Sequence, residues 1–394
     1  MTGFSPQKRF LIDCLNLSLN NETFSGHLPQ LSGGPGMEAQ AEYHSVAPLV
    51  YRQIQQHHTA IPKQQLLQLK ALVIRHRSAN TIRFSCLQEI AALFAEQDIA
   101  LIALKGAALA HILYDDPFLR PMNDMDLLVA PDQAKAAADL LFHLGYSMPH
   151  GAHRFNHRPH HLPMLQKKVQ GMTVTVELHT DIRHRDSLGS MTIHDLVEQP
   201  QSFQCGELRI KAFNHIDMLR HLCRHSFSAA TQLRLIHLYD IMAYAIKFHD
   251  RIDWQRLAQQ FPYVINGIRC IHFILPCPEP LAATVQAPTT VPPKKCGEAM
   301  KPLSKIVRKG RPWPTIFKEL FQPSPWWKHA YYGIPPENSL SRCHWLTHPL
   351  MVGRWLSLRA LSAGYSLFMH PQKKTQPPGV SDDNQKTSRQ STTT

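Results

Sequence analysis

Asn123-Asp124-Met125-Asp126-Leu127-Leu128-Val129 is the stretch whose reading decides the fold. Asp124 and Asp126 stand two residues apart and run into an apolar, β-like segment. In a strand, residues i and i+2 project from the same face. Two carboxylates held this way suit Mg²⁺, which takes one or two of them together with the oxygens of a bound phosphate. Taken alone, the pair reads more simply as a solvated turn or a helix cap. Its setting argues otherwise: Leu104-Lys105-Gly106 ends an apolar run upstream, and Val176-Glu177-Leu178-His179 lies in a later one.

Working outward, residues 99–104 read as a short buried strand, broken by Lys105-Gly106 before a helix over Ala107 to Tyr114. Asp115-Asp116-Pro117 is a turn, and Arg120-Pro121 leads into the strand from Asp124 to Val129. Pro131-Asp132 opens a helix that Gly145 stops near Leu144. His161 to Gln166 and Met172 to His179 read as a hairpin turning at Val169-Gln170-Gly171. This order of strand, helix, strand, helix and hairpin predicts an α/β (α+β) fold with a small mixed sheet and helices packed on it. On both sides the pattern is helical. Leu66-Leu67, Leu69 and Leu72-Val73, then Phe84, Leu87, Ile90 and Phe94, recur at three- and four-residue spacings, and residues 192–275 carry Leu219, Leu222, Leu233, Leu235, Leu238 and Ile241 as apolar markers.

The predicted organisation is therefore an N-terminal extension over 1–38 with a loop at 22–36, a helical region over 39–98, an α/β core over 99–190 and a helical domain over 191–277. A Pro- and Lys-rich linker follows over 278–313, then an aromatic region over 314–370 and a disordered tail over 371–394.

A chain of 394 residues with 43% hydrophobic and 18% charged residues has ample material for a globular core. Its formal charge of +13, with 25 His in reserve, suits a polyanionic partner such as a nucleotide, a nucleic acid or an anionic surface. Nucleic acid lacks a supporting motif: basic and aromatic residues do not alternate on the expected strands. The eight Cys show no Cys-x-x-Cys pair, which points to free thiols in a reducing compartment. With no signal peptide and no run of transmembrane length, the expected location is cytoplasmic.

Leu104-Lys105-Gly106-Ala107-Ala108-Leu109, Leu113-Tyr114, Arg120-Pro121-Met122 with Asp124 and Asp126-Leu127-Leu128-Val129, and Val176-Glu177-Leu178-His179 together resemble the uncharacterised nucleotidyltransferase family, within the DNA polymerase β-like nucleotidyltransferase superfamily. Leu233-Arg234-Leu235, Tyr239-Asp240 and Ile252-Asp253-Trp254 extend the resemblance, which runs from about residue 40 to 270. It implies a polymerase β-like sheet flanked by N- and C-terminal helical regions. The activity it implies is Mg²⁺-dependent transfer (Mn²⁺ being the alternative ion) of an NMP from an NTP, with ATP the first choice, to an unidentified hydroxyl or phosphate acceptor. Asp124, Asp126 and Glu177 then become the catalytic, metal-holding carboxylates.

The residues allow both this reading and a plainer one. Gly106 permits close approach of backbone N–H groups to phosphate, the helix behind it points its positive end there, and Lys105 adds a charge. Ala107 departs from the hydroxyl or glycine usual in the superfamily at this turn, which motivates the alternative of a catalytically weak or inactive nucleotide-binding protein. Arg120 is a candidate phosphate clamp and equally a surface ion-pair residue. Glu177 faces away from Val176 and Leu178, as a ligand or an exposed residue would. His179 shares its face and, with His161, is a candidate substrate contact; a satisfied hairpin histidine explains each as well. His221 and His225 share a helix face without evident further zinc ligands, and Trp326-Trp327 reads as a hydrophobic anchor.

Overall fold

The computed structural model describes residues 4–20, 36–149, 162–182, 191–228, 231–301, 303–308 and 310–357. Most of the expected loop at 22–36, the histidine-rich stretch at 150–161 that includes His161, and the tail from 371 lie outside them.

Among the described residues, four helices precede the sheet: α1 (Pro6–Asn20), α2 (Met37–Tyr43), α3 (Ala47–Gln56) and α4 (Lys63–Glu96). In α4 the buried positions His76, Asn80, Arg83, Phe84, Leu87, Ile90 and Phe94 follow the three- and four-residue spacing of one helical face. The helix stops at Asp98, whose backbone is left-handed at φ 53°, while Ile99 N–H donates to Phe94 O at 2.8 Å.

A six-stranded mixed sheet comes next, built from β1 (Leu101–Ala103), β2 (Met125–Val129), β3 (Leu165–Val169), β4 (Met172–His179), β5 (Gln201–Cys205) and β6 (Leu208–Ala212). Its order is β3-β4-β2-β1-β6-β5. β1 and β2 lie at its centre and are buried at every position, which is why both read as continuous apolar runs. β4 alternates, with Val174, Val176 and Leu178 in the core and Thr175, Glu177 and His179 on the other face. Gln170 and Gly171, both at positive φ, close the β3–β4 hairpin in the primed geometry that suits twisted strands. Helix α5 (Lys105–Ile112) follows β1, and α6 (Ala134–His143) follows β2.

One element differs from expectation. Residues 201–212 form the antiparallel β5–β6 hairpin and not part of a helix, and β6 pairs in parallel with β1. Phe203, Cys205, Ile210 and Ala212 are buried while the residues between them face out. That alternation is a strand period, and the longer helical patterns around it obscured it.

Helices α7 (His215–Phe227), α8 (Leu235–Lys247), α9 (Trp254–Gln260) and α10 (Pro262–His272) follow the sheet and pack on one another. Asn214 caps α7 by accepting the His215 N–H at 2.9 Å. The expected linker over 278–313 contains α11 (Leu281–Thr284) and α12 (Leu303–Ile306), with Leu281, Val285, Met300 and Ile306 buried. After α13 (Trp313–Phe321), α14 (Pro325–Tyr332) packs on α10, burying Trp326 and Trp327 completely, and Trp326 Nε1–H donates to Cys270 O at 2.7 Å. All eight Cys are free thiols, and all but Cys296 are buried. Among the described residues no helix is long and apolar enough to cross a membrane.

The chain divides into two compact units, Met1–Ser341 and Arg342–Thr394. The described part of the second is helical and begins with a π turn over Cys343–Thr347.

Candidate functional site

The site lies where the centre of the sheet meets α5, α7 and α8. β2 and β4 run parallel and in register, so Asp126 is the partner of Glu177, and Leu128 of His179. Side chains at matching positions of neighbouring strands share a face. A ligand atom from each of Asp126, Glu177 and His179 accordingly falls within 4.8 Å of the others. Among the described residues this is the one such group of three or more His, Cys, Asp or Glu side chains, so His221, Cys223 and His225 form none.

Asp126 is nearly inaccessible, and its Oδ1 accepts from Lys105 Nζ and pairs with His179 Nε2, each at 2.8 Å. Burial pushes this carboxyl toward the neutral form, but Lys105 and His179 outweigh it and hold its pKa far below the ordinary carboxylate range. Asp124 sits just before β2 on the cleft wall. Burial first, then the charge of Asp126, pushes its carboxyl up to about 6, with Lys105 acting the other way. The structure thus gathers Asp126, Glu177 and His179 into one ligand group and keeps Asp124 alongside as a third carboxylate.

Lys105 opens α5 in a left-handed conformation, φ 43°. Burial disfavours its charged form, but Asp126 more than restores it, leaving the pKa above its ordinary value. Leu104, at the N-cap of α5, provides no side-chain cap. The Ala107 N–H donates to Leu104 O at 3.1 Å, and no N-cap side chain accepts from the first turn, a setting that suits an anion. Gly106 follows, and Ala107 is buried behind it.

Arg120 occupies the same wall, with its charge already matched. Its Nη2 and Nε donate to Asp240 Oδ2 at 2.7 and 3.2 Å, and Nη1 donates to Pro121 O at 3.1 Å. Tyr114 Oη donates to the other Asp240 oxygen at 2.5 Å, and Asn80 Nδ2 donates to Arg120 O at 3.0 Å. The residue expected as a phosphate clamp thus takes part in a buried network joining α4, the segment between α5 and β2, and α8.

The cleft, about 230 Å³, is lined on its sheet side by Lys105, Gly106, Arg120, Asp124 and Asp126. The opposite wall comes from α7, α8 and the segment between them, through His225, Ser226, Gln232, Arg234 and His237. Sequence reasoning missed this second wall as a site, although Leu233-Arg234-Leu235 and Tyr239-Asp240 had marked the region. Their spacing carried no chemical signature, because these side chains meet the carboxylates only through the fold.

A mixed sheet between N- and C-terminal helical regions, with carboxylates at adjacent strands and a strand-to-helix turn beside them, is the arrangement of a polymerase β-like nucleotidyltransferase. Residues 38–261 match the model of the uncharacterised nucleotidyltransferase family, and the chain belongs to that family. No curated protein and no solved structure matches it.

The donor set suits a divalent ion. The carboxylates of Asp126 and Glu177 provide the hard oxygens Mg²⁺ prefers, and the His179 imidazole broadens the choice toward Mn²⁺.

Proposed function

We propose that this chain is a divalent-ion-dependent nucleotidyltransferase that moves an NMP from an NTP, ATP being the first choice, to a hydroxyl or phosphate acceptor. The observation that carries the reading is the in-register placement of Asp126 beside Glu177, with His179, facing the uncapped start of α5. An acceptor oxygen would form a bond to the α-phosphorus while the bond to the bridging oxygen breaks, its electron pair leaving with pyrophosphate, and a hydroxyl acceptor would give up its proton to water. Lys105 and the first N–H groups of α5 suit the polyphosphate. Asp126, Glu177 and His179, with Asp124 beside them, would hold Mg²⁺ or Mn²⁺. A bound ion there supplies positive charge to the reacting phosphate and the leaving group. Glu177, the most exposed carboxylate of the ligand group, stands nearest the solvent from which an acceptor would come. A cytoplasmic setting, where NTP and Mg²⁺ are plentiful, belongs to the same reading.

A second reading, a nucleotide-binding protein without turnover, is favoured by one feature: a buried methyl at Ala107 in place of a hydroxyl that would face phosphate. One experiment separates the two. Purified chain is incubated with α-phosphate-labelled NTPs, Mg²⁺ or Mn²⁺, and cell extract. Transferred label that disappears in Asp126→Asn with Glu177→Gln is the expected result. NTP binding that needs the ion, without transfer to any acceptor, supports the second reading. Nucleotide binding that is indifferent to the ion and to the double substitution, without transfer, rules out the first reading, and no nucleotide binding at all rules out both.

A further inference from the structure

The carboxylate at the heart of the ligand group already has a cation from its own chain. Lys105 Nζ lies 2.8 Å from Asp126 Oδ1, the same oxygen that His179 Nε2 reaches at 2.8 Å. The Lys105 side chain is 19% exposed and that of Asp126 4%, so solvent screens the pair weakly. Asp126 is also the most buried member of the group formed with Glu177 and His179. Any divalent ion held by that group draws on Asp126 and meets the ammonium at close range, where like charges repel strongly in a medium less polar than water.

We propose that Lys105 is a built-in competitor for the divalent ion. Its ammonium neutralises Asp126 and yields that carboxylate as the ion binds, turning along the cleft wall toward polyphosphate beside Gly106. This rests on the reading of the site as a metal-dependent nucleotide centre. It adds a consequence that reading lacks: a lysine expected to assist the substrate opposes the metal alone. Metal and polyphosphate then favour one another's binding, because the anion offers Lys105 a new partner.

Mn²⁺ binding to the full chain without nucleotide, followed by the electron paramagnetic resonance signal of the free ion, tests this. Lys105→Met should bind Mn²⁺ about tenfold more tightly than the wild type or better, since a competing charge has gone. Lys105→Arg, which keeps the charge, should stay within about threefold of the wild type. Asp126→Asn should lose the site. Circular dichroism checks that each variant is folded, and Lys105→Gln replaces Lys105→Met should the latter not fold. Binding that is lost in Asp126→Asn yet unchanged or weakened in the neutral Lys105 variant overturns the competition and leaves the metal centre standing. Mn²⁺ that binds neither the wild type nor the neutral variant overturns both.

Discussion

A methyl group at Gly106 would sit 2.5 Å from Arg120 Nη1 and 3.0 Å from Met122 Cβ. The glycine therefore serves two demands at once, close approach at the turn and room for the buried guanidinium. Gly106→Ala should push Arg120 off Asp240 and destabilise the chain by about 1–3 kcal/mol, the usual range for overpacking. The shift in urea midpoint measures this, and an unchanged midpoint would show that Arg120 relaxes freely. This side chain also marks how far residue-level reading reached. Arg120 was legible as a basic group near the turn, but its partner is 120 positions away in Asp240 and has no local signature.

At the scale of elements, α8 is tied through that ion pair to the segment that leads into β2. Arg120 and Asp240 are both buried, so removing one leaves the other charged without its partner. Asp240→Ala should cost about 3–5 kcal/mol in equilibrium unfolding. Tyr114→Phe, which removes one hydrogen bond to the same carboxylate, should cost about 1.5–3 kcal/mol. Arg120→Met combined with Asp240→Leu should recover much of the first loss, and a double variant as unstable as Asp240→Ala would contradict the charge argument. The β5–β6 hairpin makes a separate case. Ile210 is buried on β6, and Ile210→Ala should cost about 2–5 kcal/mol; a surface-like loss below ~0.5 kcal/mol would be inconsistent with a hairpin packed at the sheet edge.

For the whole molecule, the N-terminal helices meet α8 at His44. Its buried imidazole accepts the Leu235 N–H through Nδ1 at 3.3 Å, and the His44 backbone carbonyl accepts the Ile236 N–H at 3.3 Å. Burial, with Lys8 and Arg234 adding to it, lowers its pKa from 6.5 to about 4. The folded state therefore binds the proton less readily than the unfolded chain. The resulting stability is complete above about pH 6.5 and is lost as pH falls toward 4. The slope from this one group is at most about 1.4 kcal/mol per pH unit. In His44→Asn, which keeps an acceptor for Leu235, urea midpoints should fall less steeply between those two pH values. An equally steep fall would assign the acid sensitivity to other groups.

Local pattern carried much of this fold. The face of α4, the apolar runs of β1 and β2, and the β3–β4 turn follow from periodicity and turn chemistry, which act over a few residues. Asp124, Asp126, Glu177, Lys105 and Gly106 were picked out by residue type and by their places at strand and helix ends. The tertiary structure decided how they meet. Strand register set Asp126 against Glu177 and brought in His179. Packing of α8 gave Arg120 its counter-ion, and α7 and α8 supplied the far wall of the cleft. Register and buried charge pairing depend on contacts between distant segments, so no single stretch of sequence encodes them.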